Sequence, residues 1–247
     1  MALLEIVAYS YASAKAAALG GADRIELCEN TAEGGTTPSF GTIEAVRKIE
    51  GVKLHVMIRP RGGDFLYDKD EFSIMLRDTE VARKAGADGI VIGILKSDAT
   101  VDVERCRQLV EAAGSMNVTF HRAFDWAIRP LEALEDILKA GCNRILTSGQ
   151  KPNALAGAKR IAELVKASHG RLTILAGGGV NETNVSEIIR LTGVTEVHGS
   201  MRGIQQSRME VRPPDVSLGA SPDWSADAIP VADTNRVRAV RNALNKA

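Results

Sequence analysis

Short β-rich apolar runs alternate with longer amphipathic ones along the chain. The short runs cover residues 4–8, 24–28, 54–59, 89–93, 118–121, 144–147, 173–176 and 196–199. Between them, apolar positions recur at helical spacing over 11–19, 42–49, 71–85, 103–113, 130–140, 154–167 and 182–191. A last helical pattern spans 235–247, with Asp233 or Thr234 as its N-cap. Strand–helix alternation of this kind predicts parallel strands joined by crossover helices.

The strand entrances repeat. Gly21-Ala22-Asp23-Arg24-Ile25, Gly86-Ala87-Asp88-Gly89-Ile90 and Gly141-Cys142-Asn143-Arg144-Ile145 share one pattern, and Gly193-Val194-Thr195-Glu196-Val197 is a weaker copy. Each reads as a glycine ending a helix in the left-handed region, then a short turn into a buried strand. One design spread over the whole length predicts a single (β/α)₈ TIM barrel spanning 1–247, with a doubly wound open sheet as the alternative. The polar stretch 212–230 reads as an irregular loop before the closing helix.

Composition narrows the partners. The 247 residues carry 31 basic and 31 acidic side chains, so the formal net charge is zero. A nucleic-acid binder or membrane-surface protein shows a basic excess, and this chain does not. Apolar runs stay well short of the roughly 18 residues a membrane helix needs. The first residues lack the basic start and apolar core of a secretory leader. Cys28, Cys106 and Cys142 form a sparse, odd set, which predicts reduced thiols in the cytoplasm.

A barrel gathers its chemistry at the C-terminal ends of its strands. Period-2 alternation puts Glu26 with Cys28, Met57 with Arg59, Thr119 with His121, and Glu196 with His198 and Ser200 on lumen-facing positions. The run Arg59-Pro60-Arg61-Gly62-Gly63-Asp64 reads as an anion grip, two guanidiniums beside glycines that let backbone N–H groups approach. Gly177-Gly178-Gly179, followed by Asn181 as a helix N-cap, and Ser200 after the eighth strand suit a phosphate between the last two loops. His121, with Asp125 four residues on, and Glu26 are the candidates for proton transfer. Each feature also has a bland reading: a loop ion-pair network, a tight turn, a satisfied buried histidine.

Together, the segments Gly20–Cys28, Glu33–Ser39, Ile58–Phe65, Thr119–Asp125 and Leu146–Gln150 resemble the CutC family, whose members are called copper homeostasis proteins. The resemblance runs from about residue 3 to 210. It implies a (β/α)₈ barrel, a cytoplasmic location, a homo-oligomer (dimer or tetramer) and a copper ion held by cysteines near strand ends. Carried over residue by residue, it makes Cys28 the candidate copper ligand, with His198 secondary; Val7 stands where members often have a further cysteine, and Gly199 where some do. Three readings follow: a copper-handling protein, a barrel enzyme acting on a phosphorylated or otherwise anionic small molecule, and a non-catalytic sensor using the same pocket.

Overall fold

The structure is a computed structural model and describes residues 2–211 and 228–246. Eight parallel strands close into a barrel: β1 (Leu3–Ala8), β2 (Arg24–Leu27), β3 (Lys53–Met57), β4 (Gly89–Ile92), β5 (Asn117–Phe120), β6 (Arg144–Thr147), β7 (Thr173–Ala176) and β8 (Glu196–Gly199). Closure is explicit, because β1 pairs with β2 on one side and β8 on the other. Helices α1 (Tyr11–Leu19), α2 (Phe40–Arg47), α3 (Lys69–Lys84), α4 (Val103–Ala113), α5 (Pro130–Ala140), α6 (Ala158–Ser168) and α7 (Val185–Thr192) follow the first seven strands. The eighth, α8 (Thr234–Leu244), follows an antiparallel pair, β9 (Arg202–Gln206) and β10 (Ala228–Ala232).

The repeated entrances have a physical explanation. Gly21, Gly86, Gly141 and Gly193 all take positive φ, from 71° to 94°, as helix-ending glycines do. Two residues after the first three glycines, a side chain returns to cap a neighbouring strand. Asp23 accepts from the Leu4 N–H (2.7 Å), Asp88 from Leu54 (2.9 Å) and Asn143 from Val118 (2.8 Å). The turn thus satisfies strand-end donors that would otherwise be lost in a buried barrel floor. Helix starts are fixed similarly: Ser10, Ser39, Asp102 and Asp233 accept first-turn N–H groups, and Asp68 with Glu71 forms a capping box.

Three expectations shift. Asn181 does not cap α7; the helix begins at Val185 behind Asn184, whose side chain instead accepts from the Asn181 N–H (2.9 Å). Ala228, Ile229 and Pro230 belong to β10 rather than to an irregular loop, and 212–227 of that loop lie outside the described residues. The β9–β10 pair is itself an addition to the predicted elements.

The main core lies between barrel and helices, built by residues such as Leu4, Ile25, Leu54, Ile90, Phe120, Ile145 and Val197. The lumen is different. Barrel interiors are ordinarily filled with branched aliphatic side chains. Here Glu5, Arg24, Glu26, His55, Arg144 and His198 are buried on the strands, beside a small apolar cluster of Val7, Cys28, Met57 and Val91.

Candidate functional site at the barrel mouth

At the C-terminal ends of the strands lies a cavity of about 470 Å³, within the size range of small-molecule sites. Glu26, Arg59, His121, His198, Gly178 and Gly179 are among its lining residues.

Below and beside it runs an ionic chain. Glu5 is fully buried on β1; Arg24 Nε reaches its Oε2, and His198 Nδ1 lies 2.7 Å from its Oε1. Burial alone would raise the Glu5 carboxyl, but Arg24 and His198 hold it well below the usual carboxylate range. His198 Nδ1 therefore donates to a carboxylate. Burial opposes the imidazolium, yet Glu26 and Glu5 together lift His198 above the ordinary histidine value. Its other nitrogen, Nε2, lies 3.9 Å from Glu26 Oε2. Arg24 continues the chain to Glu196 (2.5 Å), which also receives Arg144 (2.7 Å).

Glu26 behaves oppositely to Glu5. Burial pushes its carboxyl up to about 7, the His198 charge opposing and the Glu5 charge adding. Its Oε1 has no hydrogen-bond partner. Two buried carboxyls on adjacent strands thus sit in different protonation regimes, the pattern by which acid and base roles are separated.

His121 completes the set. Nδ1 accepts the Ala123 N–H (3.1 Å), so the proton resides on Nε2, which is buried and unpartnered. Burial, with Arg59 nearby, depresses the imidazole to about 3 and keeps it neutral. Phe65 packs at 5.0 Å between ring centroids. Two lumen histidines share a device: each occupies space left by a glycine. A Cβ on Gly89 would stand 2.5 Å from His55 Nε2, and one on Gly93 2.3 Å from His121 Cε1. A Cβ on Gly177 would meet Leu146 Cδ1 first, at 2.5 Å, and His198 Cβ at 3.2 Å, and Gly177 is not among the cavity-lining residues, contrary to the expected role of an anion ligand.

The expected His121–Asp125 pairing is not formed. Asp125 accepts from Thr147 Oγ1 (2.5 Å), from Ser148 and from the Gln150 N–H (3.1 Å), and ion-pairs with Arg122 (2.8 Å). It is a holder for Arg122, whose guanidinium also reaches Ser148 Oγ (2.8 Å) and stands beside Gly178. Gly178 and Gly179 have φ of 96° and 71°, and their N–H groups have no acceptor among the described residues. Successive N–H groups without acceptors thus stand beside a guanidinium at this turn, the arrangement that backbone nests use for anions. Ser200 lines the same side of the cavity.

The two arginines of the predicted grip part company. Arg61 turns out of the cavity to Glu71 (2.5 Å) and the Leu66 carbonyl (2.8 Å), bracing its own loop. Arg59 stays in, buried, its guanidinium bonded to the carbonyls of Glu33 (2.7 Å), Gly35 (2.8 Å) and Gly63 (2.8 Å). Among the described residues it faces no carboxylate, which leaves its charge to the cavity. Reading the sequence missed Glu5, Arg24 and Arg122. Glu5 was detectable as the lone charge in the apolar run Leu3-Leu4-Glu5-Ile6-Val7.

Copper(I) prefers thiolate and thioether donors. Cys28 Sγ is fully buried, 3.7 Å from Glu26 Oε2 and covered by Gly35, and burial raises its thiol well above the ordinary value. Cys106 and Cys142 are buried on α4 and at the entrance to β6. Met57 is the one soft atom lining the cavity. Glu5, Glu26 and His198 do bring three donor atoms within 4.8 Å of one another. That set has two hard carboxylates, one borderline imidazole and no sulfur, and Glu5 is already neutralised by Arg24 and the His198 proton. The residues present do not fit copper(I).

Fold and site together define a (β/α)₈ barrel with a pre-charged mouth, a class that hosts many chemistries. The CutC family model matches residues 2–203. A CutC family protein of Chromobacterium violaceum is 49% identical over 247 residues, covering 99% of each chain. The human copper homeostasis protein cutC homolog is 43% identical over 244 residues, covering 99% of this chain and 89% of its own. A crystal structure of a CutC protein from Streptococcus agalactiae matches with TM-score 0.78 at 35% identity, over 81% of this chain and 99% of that one. The chain belongs to the CutC family. Among the described residues, no helix is long and apolar enough to cross a membrane.

Proposed function

We propose that this barrel is an enzyme that binds a small anionic metabolite in its mouth and performs acid–base chemistry on it. The observation that carries the reading is a set of three buried, unpartnered polar atoms, Glu26 Oε1, Arg59 Nε and His121 Nε2, on residues lining one cavity. An unsatisfied buried polar group costs about 1–3 kcal/mol, so three at one cavity call for a ligand that satisfies them. Glu26 titrates near neutrality, where a carboxyl works in both directions as acid and base. Glu5 fixes the tautomer and charge of His198, as a carboxylate does for a catalytic imidazole. Arg122 with Gly178 and Gly179, and Arg59 across the cavity, supply the attraction for the anion. Three free, buried thiols support a reducing, cytoplasmic setting.

Copper, which the human relative's name carries, has no thiolate donor lining this mouth among the described residues. The test is phosphate binding followed by ³¹P NMR line broadening in wild type and Arg122→Ala. The expected result is saturable binding weakened about tenfold by the substitution, the loss of one charge-assisted contact. Equal binding by both proteins, or binding by neither, refutes the anion seat.

A further inference from the structure

The placement of the unpartnered groups also speaks to the reaction. In a closed eight-strand barrel β5 lies halfway round from β1. Glu26 on β2 and His198 on β8 flank β1, so they share one wall of the mouth, while His121 follows β5 on the opposite wall. A ligand in the cavity therefore meets a carboxyl on one side and a neutral N–H donor on the other, with Arg122, Gly178 and Gly179 at the rim.

From this geometry we infer that the barrel catalyses enolisation of a phosphorylated α-hydroxycarbonyl compound, with Glu26 as the base and His121 as the neutral electrophile. The inference rests on the acid–base reading above and names its substrate class and chemical step. Ionised Glu26 takes the proton from the carbon next to the carbonyl, forming an O–H bond as the C–H bond breaks. The C–H electron pair becomes the carbon–carbon double bond, and the carbonyl π pair moves onto oxygen. That oxygen accepts a hydrogen bond from His121 Nε2–H, whose otherwise unmet donor is directed by the Ala123 N–H on Nδ1. The proton returns from Glu26 to carbon, so no oxidant, reductant or further reactant is consumed.

Alternative chemistries lack their parts. Glycoside cleavage needs a second unengaged carboxyl beside the first, and Glu5 is bonded to both Arg24 and His198. Phosphoryl transfer is served by charge crowded around the phosphorus, whereas here the cations are spread: Arg122 at the rim, Arg202 over the Tyr9 ring and Arg59 held by three carbonyls. An imidazole held neutral suits a carbonyl that gains charge, because it strengthens its hydrogen bond without having to release a proton first.

The experiment is proton–deuterium exchange in D₂O, followed by ¹H NMR, on dihydroxyacetone phosphate, ribulose 5-phosphate and fructose 6-phosphate. The expected result is enzyme-dependent loss of the α C–H signal from at least one probe. Glu26→Gln should reduce that rate by about 10³-fold or more, and His121→Gln by about 10²-fold. Both variants are to bind phosphate like wild type, which separates a chemical role from failure to fold. If phosphate binds but no probe exchanges above the buffer rate, enolisation is refuted and the anion-binding reading survives. If phosphate does not bind, the underlying reading falls too. Undiminished exchange in Glu26→Gln overturns the assignment of the base.

Discussion

His198 Nδ1 stands 2.7 Å from Glu5 Oε1, on a carboxylate that also holds Arg24. The contact joins β8 to β1, the strand pair that closes the barrel, so one ionic bond serves both closure and the charge state of the mouth.

Replacing Glu5 by Gln should therefore act twice. The neutral amide leaves the buried Arg24 with Glu196 as its remaining acidic partner, a loss of about 3–5 kcal/mol of folding stability by urea unfolding. In the folded protein the His198 titration, followed by its ring ¹H–¹³C resonances, should move downward. A His198 curve that does not move would show that Glu5 is not what holds its proton.

Stability should depend on pH with opposite signs on the two limbs. The Glu26 carboxyl is raised to about 7, so the folded state binds a proton that the unfolded chain releases from about pH 4.5 upward. Stability from this group is present in acid and is lost as pH rises through 7. Burial, with Glu5 countering for His55 and Arg59 adding for His121, lowers both imidazoles to about 3. Their unfolded forms bind protons below about pH 6.5, so stability falls as pH drops through that window. Glu26→Gln should flatten the decline between about pH 4.5 and 7, a change on the order of 3 kcal/mol. An unchanged slope in that range would contradict the buried, raised carboxyl.

Gly178→Ala puts a Cβ at φ of 96° and 3.1 Å from Ser148 Cβ. It should cost about 1–3 kcal/mol of stability from backbone strain. Phosphate binding should weaken as well, because the strained turn re-aims its N–H groups. Tight phosphate binding by a folded Gly178→Ala protein would move the anion seat elsewhere.

Gly93→Ala is a sharper probe of His121, since the new methyl would lie 2.3 Å from Cε1 and 2.5 Å from Nδ1. The expected outcome is a displaced imidazole, visible as a shifted ring resonance, with exchange activity lost and phosphate affinity kept. Wild-type activity would show that the ring position is unimportant.

None of the three thiols should react with Ellman's reagent in the native protein, and all three should react in denaturant. Copper(I) competition against bathocuproine should give the same affinity for native wild type and Cys28→Ser. Tighter binding by wild type would restore Cys28 as a ligand.

Much of the barrel was legible because its periodicity is local: helix-ending glycine, capping Asp or Asn and buried strand lie within five residues. Alternation placed Glu26, Cys28, Arg59, His121 and His198 on the lumen face, since a strand's faces are fixed by parity. Parity does not give depth, and depth separates Cys28, sealed under Gly35, from Glu26 beside it. It is silent on loops as well: Arg61 and Arg122 look alike in sequence, and only Asp125 and Glu71 decide which faces the mouth. The β9–β10 pair joins residues more than twenty positions apart, a contact that no short-range pattern carries.

The His121 ring inlaid against Gly93 has an entropic consequence. A side chain wedged against a neighbouring backbone has surrendered its rotamer freedom during folding, so a ligand does not have to freeze it. Ordering a mobile side chain on binding costs about 0.5–1.5 kcal/mol. A mouth whose His121 imidazole is already immobile spends that much less on it, and its selectivity follows from shape set before any ligand arrives.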